Sequence, residues 1–335
     1  MKRLFKFWAL ALPLLLMTQS CSYIYDDCSN CAKYYSLNYR LDMISNINMQ
    51  LREQLRADAS SKTLKTLDNH FQNIFLPNTT EAHLGFYPVN GDEPILFNRT
   101  IEGRSTSISL SIPATDYRHV AVIGQSDPSI SLNEGKAASE VRLTQFMTDT
   151  VASHAEAAFA GTLDMDVMDN VNQNWTVNLY PADAGIAVVM NKNPKVSRIR
   201  TFIGGLATGF SPNDSTWHWE HASIMRTEPI EIDGTDSTAY CAVAFPSHAK
   251  TTGAKGNNTR ANSNNGLWNV DIYADMPNGS ITKTVLTLSE ALKAGDIKVI
   301  RVKVNDDGGI STTDSNVGAS VTLDWKKGGE YNPDL

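Results

Sequence analysis

The 335 residues carry 29 Lys and Arg against 36 Asp and Glu, a net charge of −7, with 41% hydrophobic residues and four cysteines. Length and apolar content fit about two packed domains and exclude a disordered chain. The sparse cysteines exclude a disulfide-stapled miniprotein, the lack of a basic surplus argues against a nucleic-acid partner, and one long apolar run, at the N-terminus, excludes a polytopic helical membrane protein.

Residues 1–20 read as a lipoprotein signal peptide. Lys2, Arg3 and Lys6 precede an apolar run from Phe7 to Met17, too short to span a bilayer but suited to a signal h-region. Thr18-Gln19-Ser20 then leads to Cys21, with Thr18 where a Leu is usual. Signal cleavage between Ser20 and Cys21 would leave Cys21 to carry the lipid; the alternative is an ordinary secreted protein in which Cys21 is a chance thiol. Loss of the leader leaves 26 cations against 36 carboxylates, so the body is more acidic than the precursor. Residues 21–36 read as an acylated tether. Cys28 and Cys31 form a Cys-x2-Cys pair there and Cys241 stands far away, which points to a local or long-range disulfide or to inert thiols rather than to zinc or redox chemistry.

Helical periodicity is expected between Leu41 and Phe75. Leu64, Leu67, Phe71, Ile74 and Phe75 form one stripe, with a weaker one through Leu41, Ile44, Ile47, Leu51 and Leu55. After Pro77 the pattern turns to strands. His83–Val89 and Ile95–Ile101 flank Asn90-Gly91-Asp92 as a hairpin, and Thr106–Ile112 alternates apolar with Ser. Tyr117–Gly124 is another strand, while Glu140–Ala158 fits neither period. Two strands are expected around Tyr180-Pro181-Ala182-Asp183. Further strands are expected at Thr216–Met225, Ala239–Phe245, Trp268–Ala274, Lys283–Leu288, Ile297–Val304 and Ala319–Trp325, and Gly253–Gly266 reads as a surface loop. The reading is mainly β: an N-terminal β-sandwich over 37–165 and a C-terminal one over 166–335, with a short helical segment near the N-terminus.

Catalytic motifs are missing: no nucleophile elbow, phosphate loop, dinucleotide fingerprint or HExxH. Gly204-Gly205 through Gly209 reads as a bulge or turn. Trp217-His218-Trp219-Glu220-His221 invites a metal reading, but strand parity sets His218 and His221 on opposite faces, so no metal is expected, and the Trp pair fills core or rims a pocket. Asp164, Asp166 and Asp169 lack the Gly and terminal Glu of a calcium loop and read as a solvated strand face.

Several segments in order resemble the FimB/Mfa2-type fimbrial subunits of Bacteroidetes, the minor or anchor proteins of type V pili. They are Cys21-Ser-Tyr-Ile-Tyr-Asp-Asp27 and Ile112-Pro-Ala-Thr-Asp-Tyr-Arg-His-Val-Ala-Val122. Next come Ser153-His154 with Phe159-Ala-Gly161 and Met165, then Val177-Asn-Leu-Tyr180 through Ala207-Thr-Gly-Phe210 and Asp214-Ser215. The last is Val321-Thr-Leu-Asp-Trp325 with Gly328-Gly329. Where the family often has Asn-Cys-Ala, this chain has Ala182-Asp183-Ala184.

The resemblance implies two transthyretin-like sandwiches, no enzymatic activity, no cofactor, and pairing with other pilin subunits by strand addition at a sheet edge. It implies a lipid-anchored accessory subunit at the outer membrane and in the fimbria. Asp26-Asp27 resembles an acidic surface-export signal. The expected assembly strand is Ala319–Trp325, with Ala319, Val321, Leu323 and Trp325 on one face; the competing reading is that it completes its own domain. The alternative function is capture of a glycan or host ligand through Trp217 and Trp219.

Overall fold

A computed structural model describes residues 34–55, 61–146, 148–169, 171–220, 224–248, 267–312 and 317–324. Strands dominate it. In chain order the first ten are β1 (Tyr34–Met43), β2 (Thr79–Pro88), β3 (Ile95–Glu102), β4 (Ser105–Pro113), β5 (Asp116–Ile123), β6 (Ile130–Asn133), β7 (Arg142–Gln145), β8 (Thr150–Ala152), β9 (Phe159–Asp166) and β10 (Gln173–Pro181). Next come β11 (Ala184–Asn191), β12 (Arg198–Gly204), β13 (Gly209–Ser211), β14 (Thr216–His218), β15 (Ile224–Arg226) and β16 (Glu228–Glu231). The last six are β17 (Ser237–Ala244), β18 (Trp268–Asp275), β19 (Ile281–Leu288), β20 (Ile297–Val304), β21 (Ile310–Ser311) and β22 (Val317–Asp324). Two helices, α1 (Ile47–Gln54) and α2 (Ser61–Phe75), follow β1.

Seven strands run in the order β3-β2-β5-β9-β10-β1-β4. β9 and β10 are in register only at Phe159–Pro181 and Ala160–Tyr180, so the sheet folds over there into two facing leaves. Tyr39 of one leaf meets Phe86 and His119 of the other at ring separations of 6.2 and 5.3 Å. The hairpin turn between β2 and β3 falls at the expected Asn90-Gly91, where Gly91 takes a φ of +84°. A small sheet, β14-β13-β7-β6, covers the outer face of β2 and β5 through Tyr87, Val120, Val122, Leu143 and Phe210.

The chain leaves the seven-stranded sheet at Pro181 and enters a second at Ala184, whereas the expected boundary after residue 165 falls within β9. A central sheet, β16-β17-β11-β20-β21, faces an outer sheet, β22-β19-β18-β12-β15-β8. Ile186, Val188 and Met190 of β11 pack toward the outer sheet, while Ala187 joins Cys241 and Val243 in the core shared with the helices and the first leaves. Both faces of the central sheet are therefore buried, which explains its nearly unbroken apolar strands. Cys241 is a free thiol in that core, and burial pushes its pKa far up, which keeps it inert.

Helix α2 carries the expected stripe, with Leu67, Phe71, Ile74 and Phe75 buried. The first half of the helical expectation needs correction. Leu41 lies in β1, where Leu37, Tyr39, Leu41 and Met43 are buried on alternate positions, and Ile44 is exposed; a period of two shares Leu41 with the helical stripe but continues backward from it. β1 starts at Tyr34, so the end of the expected tether enters the sheet. Thr216–Met225 is not one strand either: β14 belongs to the small sheet and β15 to the outer one.

Candidate functional site: two sheet edges

Ser20, Cys21, Asp26, Asp27, Cys28, Cys31, His221, Trp325 and the 253–266 loop lie outside the described residues. Around the Trp-His motif the side chains are already engaged. Trp217 stacks on Phe210 at 4.3 Å and packs on Phe245, which makes it part of a core. Trp219 stacks on His248 at 4.3 Å. His218 Nε2 lies 2.8 Å from Ser211 Oγ, and Glu220 pairs with Arg142 at 2.9 Å. Asp164 and Asp166 sit at exposed positions of β9, and Asp164 takes Arg118 at 2.9 Å.

Two buried polar clusters escaped the motif search. Tyr39 Oη donates to His119 Nε2 at 2.5 Å, and His119 Nδ1–H donates to Gly85 O at 2.9 Å, which fixes the neutral tautomer. Burial lowers the His119 pKa to about 3. At the crossing between sheets, His154 Nδ1 lies 3.1 Å from Asp183 Oδ2, which also accepts the Ala158 N–H at 2.7 Å. Burial alone would lower the His154 pKa, but the Asp183 carboxylate and then Asp127 raise it above its ordinary value. The Asp183 backbone carbonyl accepts the Gly295 N–H at 2.7 Å and so fixes the approach to β20.

Two strand edges of the second sandwich differ in how they end. β22 pairs antiparallel with β19 along its whole length, from Val317 opposite Leu288 to Asp324 opposite Ile281. It ends the outer sheet, and no strand among the described residues pairs with its other edge. Val317 is buried in the core, whereas Gly318, Ala319 and Ser320 are exposed. Ala319, Val321 and Leu323 thus lie on a strand that completes its own sheet and leaves one row of backbone groups unmatched by another strand.

The corresponding edge of β20 is closed. β21 pairs only with Lys303 and Val304. Before that point two glutamines of α1 take the place of a strand. Gln50 Nε2 donates to Gly295 O at 2.8 Å while its Oε1 accepts the Ile297 N–H at 2.6 Å. Gln54 Nε2 donates to Ile297 O while its Oε1 accepts the Val299 N–H at 2.8 Å. A primary amide offers the donor and acceptor that a peptide group offers. Four residues of helix rise ~6 Å, close to the ~6.6 Å of two strand residues, so Gln amides at i and i+4 match successive outward groups of the strand. Ile47, Leu51 and Leu55 bury the adjacent face of α1, and Gln72 of α2 donates to Asn48 at 3.0 Å.

A model of fimbrillin-A associated anchor proteins Mfa1 and Mfa2 matches residues 63–327. No curated protein matches the chain. Among solved structures, it is similar to the fimbrial anchor protein Mfa2 from Porphyromonas gingivalis at 11% identity, over 86% of this chain and 99% of that one, with a TM-score of 0.43. It is also similar to the C-terminally truncated tip fimbrial protein Mfa3 from Porphyromonas gingivalis at 8% identity, over 88% of this chain and 100% of that one, with a TM-score of 0.44. With most of its length matched by the family model, the chain belongs to the family of fimbrillin-A associated anchor proteins Mfa1 and Mfa2 and is a fimbrial component.

Proposed function

We propose that this fimbrial component is a non-enzymatic accessory subunit, held at the outer membrane by lipid on Cys21, that receives a neighbouring subunit by strand addition along the open edge of β22. The observation that carries this reading is the edge of β22, which pairs with no strand among the described residues. β22 carries no charge before Asp324. The edge strand β3 is blunted by Arg99 and Glu102, and β16, at an edge of the central sheet, is short and holds Pro229 between charged residues. An incoming strand would complete the row of hydrogen bonds on the outer sheet, and load would pass through that ladder to the body and the lipid. Asp26 and Asp27 would act as the export signal that brings the lipid-bearing end to the cell surface.

The test is site-directed cross-linking on cells that make the fimbriae. Ser320→Cys is expected to cross-link to a pilin subunit, whereas Lys303→Cys at the closed edge is not. Pilin cross-links from Lys303→Cys equal to those from Ser320→Cys, or obtained instead from Ser109→Cys on β4, the uncharged edge strand of the seven-stranded sheet, would defeat the assignment to β22. In the same cells Cys21→Ala should move the protein to the soluble fraction; processed mutant protein that stays with the membrane would defeat the lipid anchor.

A further inference from the structure

A crevice of about 540 Å³ opens in the seven-stranded sheet where β9 and β10 part. The Ala160–Tyr180 pair closes one end of the gap. At the other end the Gln173 side chain bridges it: Nε2 donates to Asp166 O at 2.9 Å, and Oε1 accepts the Met168 N–H at 3.2 Å. Phe210, Pro212, Ser215 and Trp217 of the β13–β14 hairpin form a wall along it. Arg118 pins that wall to the sheet, donating to Asn213 Oδ1 and O, each at 2.9 Å, and to Asp164 at 2.9 Å.

Register turns one neutral face toward the crevice. Tyr180 stands opposite Ala160, which joins Phe210 in the core beneath the small sheet. Steps of two place Thr162 of β9 and Asn178 and Thr176 of β10 on that same face. Thr176, Asn178, Tyr180 and Ser215 are exposed, and Thr162 and Trp217 are half-buried, so a ligand can reach all six. Among the described residues none that lines the crevice is charged, in a chain that is 19% charged. The backbone adds a gap the size of one amide. Pairing of Gly161 with Leu179 would need the Thr162 N–H on Asn178 O, and the register stops before it. The Asn178 carbonyl lies against Gly161 instead, where any Cβ would collide with it. A donor and an acceptor that a continued ladder would have joined are thus left apart.

We propose that the crevice binds a neutral sugar bearing an acetamido group, whose carbonyl accepts the Thr162 N–H and whose N–H donates to Asn178 O. A secondary amide supplies the two partners that the parted strands lack. The Tyr180 ring offers an apolar face to the sugar ring, and the Thr176, Asn178 and Ser215 side chains offer polar groups to its hydroxyls. Closure at both ends leaves room for one amide and disfavours a through-running peptide strand. The uncharged lining disfavours an ionic ligand, whose desolvation it would not offset. The volume falls in the range of small-ligand sites, ~300–1,000 Å³. This site is separate from the β22 edge and does not depend on strand addition.

The test is calorimetric titration of the purified full chain with N,N′-diacetylchitobiose and with N-acetyllactosamine. At least one is expected to bind saturably. The counterpart with a hydroxyl in place of the acetamido group, cellobiose or lactose, should bind at least tenfold more weakly. Tyr180→Ala should weaken binding at least tenfold and Asn178→Ala at least threefold, both with an unchanged Tm. Should Tyr180→Ala fail to fold, the exposed Asn178 still decides the matter. No binding of either sugar, equal binding of cellobiose or lactose, or undiminished binding by a folded variant of either kind would overturn the proposal. N-acetylalanine methylamide binding as tightly as the sugar would overturn the sugar assignment.

Discussion

At the edge of the central sheet, β20 meets α1, and at the edge of the outer sheet, β22 meets no strand among the described residues. Both are eight-residue strands of the same sandwich. Along β20 the outward groups from Gly295 to Val299 are taken by Gln50 and Gln54, and β21 takes Lys303 and Val304. Between them Thr312 Oγ1 donates to Arg301 O at 3.3 Å. A short amphipathic helix can therefore close an edge as a strand does, provided that its amides step at the strand's spacing. The contrast separates an edge closed by a helix from one that pairs with no strand among the described residues.

The largest effect should come from the apolar anchor of α1. Leu51 is fully buried, so Leu51→Ala is expected to cost ~2–5 kcal/mol in urea unfolding. Exchange of the Ile297 and Val299 amides should accelerate more than that of β11 amides. Uniform acceleration would mean that α1 does not guard the edge as a local unit.

Acid should act on the whole molecule and leave the contrast between edges standing. The folded chain holds His119 neutral down to about pH 3, whereas an unfolded His takes a proton near 6.5. Below pH 6.5 the unfolded chain binds the extra proton, so the contribution of His119 to stability falls with falling pH, by at most ~1.4 kcal/mol per unit, until about pH 3. Glu156 works in the opposite direction. Burial, then Asp127 and Glu81, raise its pKa to about 7, so its contribution is present at acid pH and is lost as pH rises through 7. Between pH 6.5 and 5 His119→Gln is expected to shift the slope of stability against pH toward greater stability in acid, and Glu156→Gln to shift it the opposite way. A wild-type slope kept by His119→Gln would assign the acid response elsewhere.

Gln54→Ala should have the smallest and most local effect. It strips the partners from Ile297 O and the Val299 N–H, with an expected cost of ~1–3 kcal/mol, toward the low end because water can reach an edge. Val299 exchange should rise about tenfold with β22 unchanged. Unaltered Val299 protection would show that packing, not the amide ladder, closes this edge.

Much of the framework was legible in residue order because it repeats locally. The α2 stripe, the alternation of β18 and β19, the hairpin turn at Asn90-Gly91 and the order of most strands all follow from side-chain periods of 3.6 or two and from turn chemistry. Reading went astray where periods overlap, as at Leu41, and where the chain leaves a sheet within a run of aromatics, as after His218. The edges were not legible. Gln50 and Ile297 lie 247 residues apart, and a glutamine that completes a distant ladder has the same local pattern as one facing water. Asp183 beneath His154 follows the same rule. Residue order determined which segments become strands and which side of each is apolar, since both depend on neighbours in the chain. Only the tertiary structure decided which edges close, which buried charges pair and where two strands of one sheet part, because those depend on backbone groups and registers brought together from far along it.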